Sequence, residues 1–152
     1  MGMLQAGVIP VTHFQQNCTV LFDTDTKQGV IVDPGGDVDV ILQTLGENGI
    51  TLSAIWLTHG HIDHAGGAKE LKEALGLPII GPHRDDEPLL SRLEEQAERF
   101  GLAMKVENVR PDRWLEDGDH DLKPRKRVTG KTLEDQLLEL AEQTRVWTKT
   151  CL

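Results

Sequence analysis

The segment THGHIDHAGG, residues 58–67, places three histidines and an aspartate within six positions, at His59, His61, Asp63 and His64. Imidazole nitrogens and carboxylate oxygens are ligands that zinc and its neighbours in the first transition row bind readily. The alternative is a set of independent surface or core histidines, which is the usual explanation for a single histidine. A cluster of this density would be costly if it stayed unpaired. The sequence therefore predicts a metal site.

The spacing within this motif divides the ligands into two pairs. Residues two apart in an extended segment point to one side, so His59 and His61 can hold one ion together. Asp63 and His64 are adjacent and need a turn to converge on a second ion. Glycines on both sides are expected to leave the backbone free for that turn. They are Gly60, Gly66 and Gly67. Two such ions would share a water molecule whose pKa falls from about 15.7 towards 7, which makes hydroxide available as a nucleophile.

Short apolar runs are expected to form the strands that position the motif. CTVLFD (18–23) and GVIVDPGGD (29–37) predict a β-hairpin, and LPIIG (77–81) predicts a further short strand. LSAIWL (52–57) predicts a buried strand that ends where the histidine motif begins. Strands that alternate with helices predict an α/β class, in which ligand sites gather at the carboxyl ends of central strands.

Three helices are predicted from the spacing of apolar residues. The first is expected to begin after an N-cap at Asp37 and to end at Gly49. The second is expected to end at Gly76, and the third to run over residues 88–100. Their apolar faces are Val38, Ile41, Leu42 and Leu45; Ala68, Leu71 and Leu75; and Leu89, Leu93 and Phe100.

Length, charge and cysteine content limit the class of protein. A chain of 152 residues suits one domain, and its formal net charge of −9 argues against a nucleic acid partner. No stretch approaches the roughly 18 apolar residues of a membrane span, and the first ten residues lack the features of a secretory signal. Two cysteines far apart, Cys18 and Cys151, do not suggest a disulfide framework. We therefore expect a cytoplasmic protein with no membrane partner.

The motif HGHIDH is the H-x-H-x-D-H signature of metallo-β-lactamase-fold hydrolases. Five segments resemble, in order and spacing, the small glyoxalase II-like (hydroxyacylglutathione hydrolase-like) enzymes of bacteria. They are IPVTHFQQNCTVLFD, VDPGGD, LTHGHIDHAGG, IIGPH and RPDRWLEDGD, which together span about residues 8–122. The resemblance implies an αββα sandwich with two metal ions, usually zinc. It also implies hydrolysis of a thioester such as S-lactoylglutathione, in which metal-bound hydroxide attacks the carbonyl and a thiolate leaves.

The resemblance also implies roles for the residues of the motif. His59 and His61 would bind the first ion and Asp63 and His64 the second, with Asp63 as the catalytic carboxylate. Iron or manganese is an alternative to zinc, because the same ligands accept all three metals. Other activities of relatives also stay open, namely persulfide dioxygenase, lactonase, β-lactamase and, less favoured by the acidic charge, RNA-processing nuclease.

Three ligands that this family places downstream do not occur in the sequence. They are a histidine in a Cys-Pro-Gly-His-Thr-Pro-Gly-His-like segment, a bridging aspartate in a Ser-Gly-Asp-like segment and a late histidine in a Gly-His-Gly-like segment. The charge changes at the same point: residues 1–122 carry 9 basic and 21 acidic side chains, and residues 123–152 carry 7 and 4. We therefore expect residues 1–122 to be the N-terminal half of the domain. Residues 123–152 are expected to be a divergent basic segment with a short amphipathic helix, from a frame-shifted or rearranged reading of the gene.

A half domain has consequences for assembly and for activity. The inner apolar face of its sheet is expected to lie partly open, which predicts self-association. A metal-binding remnant without catalysis is the alternative to an enzyme. His120 could replace a missing ligand, whereas His83 is expected in a surface loop and His13 near the pocket mouth. Asp33 either orients a metal-binding histidine or only serves the turn, for which Gly35 and Gly36 are also expected.

Overall fold

The structure is a computed structural model and describes residues 2–103 and 105–116. The predicted tail helix, the division at residue 122 and His120 lie outside these residues. In the part that is described, no helix is long and apolar enough to cross a membrane. Cytoplasmic localisation stays a prediction.

A five-stranded mixed sheet forms the centre of the fold, with the strands in chain order. They are β1 (Leu4–Val11), β2 (Gln16–Asp23), β3 (Gln28–Val32), β4 (Thr51–Trp56) and β5 (Ile79–Ile80). The first three strands pair antiparallel, and β3, β4 and β5 pair parallel. The predicted hairpin, the buried strand before the motif and the short strand after it are confirmed. The sequence does not predict β1, because only Ile9 and Val11 of this edge strand are buried.

The described residues also form five helices and one 3-10 turn. They are α1 (Val38–Asn48), α2 (Ile62–Ala65), α3 (Ala68–Leu75), the 3-10 turn (Arg84–Asp86), α4 (Glu87–Leu90) and α5 (Leu93–Arg99). Helix α1 connects β3 to β4, α2 and α3 connect β4 to β5, and the others follow β5. The predicted first and second helices are confirmed. Each ends at the expected glycine in a left-handed conformation, with φ 66° at Gly49 and 67° at Gly76. The α/β class is therefore confirmed.

The predicted single helix over residues 88–100 is wrong, since the chain forms α4 and α5 there. Arg92 interrupts the helix with φ −129° and ψ 29°. The interruption rotates the second helix, so Leu90 and Leu93 are fully buried while Phe100 is 57% exposed. Leu75, which was expected on the inner face of α3, is 41% exposed.

Asp37 stands at the N-cap position of α1, but its side chain does not cap the helix. The residue itself adopts a left-handed conformation with φ 49°. Its Oδ2 accepts a hydrogen bond of 2.7 Å from the backbone N–H of Thr12, in the loop between β1 and β2. The predicted helix start is thus confirmed, whereas the predicted capping bond is replaced by a bond to another loop.

Apolar side chains are buried on both faces of the sheet. One face packs against α1, α3 and α5 in a large cluster that includes Ile31, Ile41 and Leu71. The other face carries Leu21, Val30, Val32, Ala54 and Trp56. These five side chains are at most 5% exposed. The expectation of an open apolar face is therefore wrong for these residues, and self-association stays a prediction.

A salt bridge joins α3 to the segment that follows the helices. Lys72 Nζ donates to Asp112 at 2.8 Å (Oδ1) and 2.6 Å (Oδ2), and Asp112 Oδ2 also accepts from the backbone N–H of Ile79 in β5 at 2.8 Å. Burial opposes ionisation of Asp112, but these hydrogen bonds hold its pKa below the usual value. The contribution of Asp112 to stability is therefore fully present at pH values above the ordinary pKa of an aspartate, about 3.9. It is lost as the pH falls through the lowered pKa of the folded protein.

Lys72→Met is expected to lower the free energy of unfolding by less than about 1 kcal/mol at neutral pH, because the pair is partly exposed. Urea denaturation of both proteins over a pH series measures the difference, which should shrink as Asp112 becomes protonated. Lys69→Met is a matched control. Its partner Glu107 is farther away, at 3.8 Å, so this substitution should change stability less. A difference that grows towards acid pH would contradict the prediction.

Candidate metal centre

The histidine motif lies at the carboxyl end of β4, a strand that is paired on both sides. After β4 the chain bends at Thr58 and reaches His61 in extended backbone, with φ −71° and ψ 145°. The single turn of α2 then carries Asp63 and His64. The sequence thus predicts correctly both the place of the motif and the turn that Asp63 and His64 need.

His59 lies between the other two histidines of the motif. Its ring centroid is 4.0 Å from that of His64 and 4.9 Å from that of His61. Asp63 Oδ2 is 3.3 Å from His64 Nε2. Asp33 joins the cluster from the end of β3, and one ligand atom each of Asp33, His59 and His64 lie within 4.8 Å of one another. Of the four predicted ligands, His59 and His64 therefore converge with Asp33, whereas the exposed His61 and the half-buried Asp63 lie outside this group. The division of the motif between two ions stays a prediction.

Asp33 organises the cluster through its buried carboxylate, and the residue is 5% exposed. Oδ1 accepts from the backbone N–H of Thr58 at 2.9 Å. Oδ2 accepts from the Thr58 hydroxyl at 2.6 Å and is 2.8 Å from His64 Nδ1. Of the two roles left open for Asp33, orientation of a histidine is the one supported by an observed contact. Thr58, next to the first histidine, is a site residue that the sequence reasoning misses.

These hydrogen bonds determine which ring nitrogens can bind an ion. The Thr58 hydroxyl gives its one proton to Asp33, so its oxygen accepts from His59 Nδ1 at 3.0 Å. His64 Nδ1 donates to Asp33 in the same way. In both histidines Nε2 is therefore the nitrogen that would bind an ion, which is the usual arrangement of metal-binding histidines held by a carboxylate or oxygen acceptor. The donor set thus fits a transition-metal ion.

Burial and neighbouring charges shift the two central histidines in opposite directions. Burial, together with the positive charge of His64, lowers the pKa of His59. For His64, burial acts in the same direction, but the hydrogen bond to Asp33 and the charges of Asp33 and Asp63 outweigh it and raise the pKa. His59 is thereby held in the neutral form that a metal ion requires.

Cys18 lies in β2 and is fully buried. Burial, assisted by the negative charge of Asp33, raises the pKa of its thiol. A thiol that stays protonated at neutral pH is neither a metal ligand nor a nucleophile. The chemistry of this site therefore belongs to the histidines and carboxylates.

The glycines of the motif serve close backbone approach rather than the predicted freedom of the turn. None of the three has a positive φ, and Gly66 is helical at −60°. A Cβ at Gly60 would lie 2.8 Å from Leu89 Cβ. One at Gly66 would lie 2.6 Å from the carbonyl oxygen of Gly35, and one at Gly67 would lie 2.7 Å from that of Pro34. The expectation is therefore corrected: these positions have no space for a side chain.

His13 and His83, the other histidines that the structure describes, do not join this cluster. His13 is exposed in the loop between β1 and β2. His83 Nδ1 accepts from the backbone N–H of Asp85 at 3.1 Å and so caps the 3-10 turn. Within residues 2–103 and 105–116, the one group of three or more converging metal-ligating side chains is that of Asp33, His59 and His64.

Comparison with known sequences supports the family resemblance. Residues 11–135 match the metallo-beta-lactamase superfamily. Hydroxyacylglutathione hydrolase GloC of Haemophilus influenzae is 43% identical over 116 residues, which are 76% of this chain and 54% of that protein. The hydroxyacylglutathione hydrolase of Photobacterium profundum is 39% identical over 111 residues, or 70% of this chain and 43% of that protein. The chain thus spans about half the length of these relatives. The family match runs past residue 122, and the division there stays a prediction.

Solved structures show the same fold. The di-iron-bound form of TTHA1623 is 32% identical, with a TM-score of 0.66 over 74% of this chain and 55% of that one. The B3 metallo-beta-lactamase BLEG-1 is 29% identical, with a TM-score of 0.65 over 78% of this chain and 56% of that one. The expected resemblance to glyoxalase II-like proteins and the expected fold are confirmed. The chain belongs to the metallo-beta-lactamase superfamily and covers the N-terminal part of its fold.

Proposed function

We propose that this chain carries the metal-binding half of a glyoxalase II-type hydrolase, whose substrate is a small-molecule thioester such as S-lactoylglutathione. One observation carries the proposal: the rings of His59 and His64 lie 4.0 Å apart at the end of β4, and hydrogen bonds occupy Nδ1 of both and leave Nε2 as the nitrogen for an ion. The substrate class is supported by the relatives named hydroxyacylglutathione hydrolase.

The proposed ligands are His59, His61, Asp63 and His64, and Asp63 is also the proposed catalytic carboxylate. A bound ion supplies Lewis-acid chemistry, in that it polarises a carbonyl oxygen and acidifies a coordinated water molecule. The protein's own contribution is orientation, because Asp33 fixes the ring of His64 and bonds to the Thr58 hydroxyl that accepts from His59. A thiol with a pKa of about 8.5 leaves readily as a thiolate, so the reaction needs little help from a general acid.

Zinc is the proposed metal, with two ions as the family resemblance implies. Iron and manganese are tested beside it, since imidazole and carboxylate accept all three and the related TTHA1623 has a di-iron-bound form. No nucleic acid or membrane partner is proposed. Self-association is proposed as the route by which a second chain could add ligands, and sedimentation velocity at several concentrations tests it.

The second candidate function is metal binding without catalysis. The observation that favours it is the small converging group, which among the described residues consists of Asp33, His59 and His64. Metal sites that keep only part of their ligand set lose affinity and geometric definition. The same fold also carries other reactions, as the B3 metallo-beta-lactamase shows, so lactone and persulfide substrates belong in the assay.

Metal binding tests the proposed site directly. Zinc at 100 times its Kd is expected to raise the free energy of unfolding by about 2.7 kcal/mol, because it binds the folded chain. His59→Ala should lose this increase, and the exposed His13→Ala should keep it. Urea denaturation with zinc and with a chelator measures the difference, and native mass spectrometry counts the ions. No bound ion would overturn the proposal.

Hydrolysis then separates the two candidates. Thiol release from S-lactoylglutathione by the metal-loaded wild-type chain, and its loss in His59→Ala, would support the hydrolase. An ion that binds with the predicted dependence on His59, without thiol release from any thioester, would support the non-catalytic candidate.

A further inference from the structure

The loop that carries the metal-binding histidines is held by side chains from a distant part of the sequence. Gln96 of α5 lies beside this loop, and its Oε1 accepts from the backbone N–H of Ile62 at 3.0 Å. Its Nε2 donates to the carbonyl oxygens of Gly60 at 3.3 Å and Leu89 at 2.9 Å. One side-chain amide therefore links three backbone groups on two segments.

The backbone of Gly60 is bound on its other side as well. Its N–H donates to Asp86 Oδ2 at 2.9 Å, in the 3-10 turn. Both polar groups of Gly60 are thus paired with side chains located 26 and 36 residues further along the chain. Leu89 also approaches so closely that a Cβ at Gly60 would lie 2.8 Å from Leu89 Cβ. Position 60 is therefore fixed by hydrogen bonds and by packing.

The position of these bonds relative to the histidines gives them a role in metal binding. Gly60 separates His59 from His61. His61 lies between Gly60 and Ile62, the two motif residues that bond to Gln96. None of the bonds made by Gln96 or Asp86 involves an imidazole ring. They can therefore orient the histidines only through the backbone, by fixing its direction on both sides of His61. A binding site works only when its ligands are held within about 0.5 Å of the positions that the bound ion requires.

We infer that Gln96 is a positioning residue of the metal centre: it holds the backbone of Gly60 and Ile62 so that His61 and His59 point at the same ion. The inference rests on the proposed metal site. Without Gln96, the N–H of Ile62 and the carbonyl of Gly60 lose partners in a part-buried position. The loop would then adopt other conformations, and the affinity for a metal ion would fall before the fold is lost.

Cobalt(II) tests this role because its visible absorption reports ligand geometry as well as occupancy. Gln96→Leu in the full chain is expected to weaken cobalt binding about tenfold or more and to change the absorption spectrum. Gln96→Glu keeps an acceptor for the N–H of Ile62 but has no donor for the carbonyl of Gly60. Its cobalt affinity should therefore lie between those of Gln96→Leu and the wild type. Ile41→Val is the matched control, since it destabilises the buried core without touching these hydrogen bonds.

The outcomes separate this inference from the proposed function. A wild-type chain that binds no cobalt would overturn both. A wild-type chain that binds cobalt, together with Gln96 variants of unchanged affinity and spectrum, would overturn only the role of Gln96. If Ile41→Val loses as much cobalt affinity as Gln96→Leu does, the effect follows from general stability. That result would also overturn the inference. If Gln96→Leu does not fold, Gln96→Glu decides by the same two readouts.

Discussion

Gly35→Ala is expected to lower the free energy of unfolding by about 3 kcal/mol or more, as overpacking at a rigid contact does. A Cβ at Gly35 would overlap the backbone carbonyl oxygen of Asp63. That atom belongs to the single turn of α2, so it cannot move aside as the end of a flexible side chain can. The φ of Gly35 is not positive, so the cost arises from the close approach rather than from the backbone dihedral angles. Relief of the overlap requires the turn after β3 to separate from α2.

The same separation should damage the metal centre. Asp33 precedes the turn and holds His64 of α2, so a wider gap would stretch this contact of 2.8 Å. Urea denaturation measures the stability, and zinc titration of the remaining folded protein measures the affinity. Gly46→Ala is the matched control, because it lies in α1 with nothing within 4 Å of an added Cβ. That control should stabilise the chain by up to about 1 kcal/mol. A Gly35→Ala protein as stable as wild type would show that the turn is not packed as described.

Asp33→Asn is expected to weaken zinc binding about 10- to 100-fold and to destabilise the fold by about 1.5–3 kcal/mol. The carboxylate accepts three hydrogen bonds, two from Thr58 and one from His64. An amide has one acceptor oxygen, so its nitrogen would face a donor at the second position. His64 would then lose the partner that keeps its Nδ1 protonated and its Nε2 available. Zinc titration and urea denaturation measure the two effects.

Asparagine suits this test because it tolerates the left-handed conformation of Asp33, φ 54°. Asp37→Asn is the control, since Asp37 has a similar φ of 49° and its carboxylate accepts from the backbone of Thr12 on an exposed loop. It should leave zinc affinity unchanged. Equal losses of affinity in the two variants would show that the effect follows from lost negative charge rather than from the orientation of His64.

Much of the candidate site can be predicted from sequence because the proposed ligands are local. His59, His61 and His64 fall within six residues at the end of β4, so spacing alone indicates that their rings lie close together. The strand before the motif and the glycine that ends α1 are also local signals, read from apolar runs and from the residue that best adopts positive φ. Asp33 could be raised as a candidate because it too follows a predicted strand.

The rest depends on contacts between distant segments, for which the sequence carries no periodic signal. Gln96 and Asp86 bind the loop from positions that local patterns describe only as helix and turn. The break at Arg92 is likewise invisible in the spacing of leucines, because Leu89 and Leu90 are both apolar and only packing selects Leu90. The role of the motif glycines also depends on distant contacts, because atoms that exclude a side chain come from other segments.

The parallel pairing of β3 with β4 also determines when the site can form during folding. The backbone N–H of Asp33 donates to the carbonyl of Trp56 at 2.9 Å, and the Asp33 carboxylate binds Thr58, 25 residues away along the chain. The polypeptide must therefore close the β3–α1–β4 crossover before this carboxylate can meet the histidine loop. The candidate metal site and the crossover consequently form one cooperative unit, and in a nascent chain the site stays unorganised until β4 is in place.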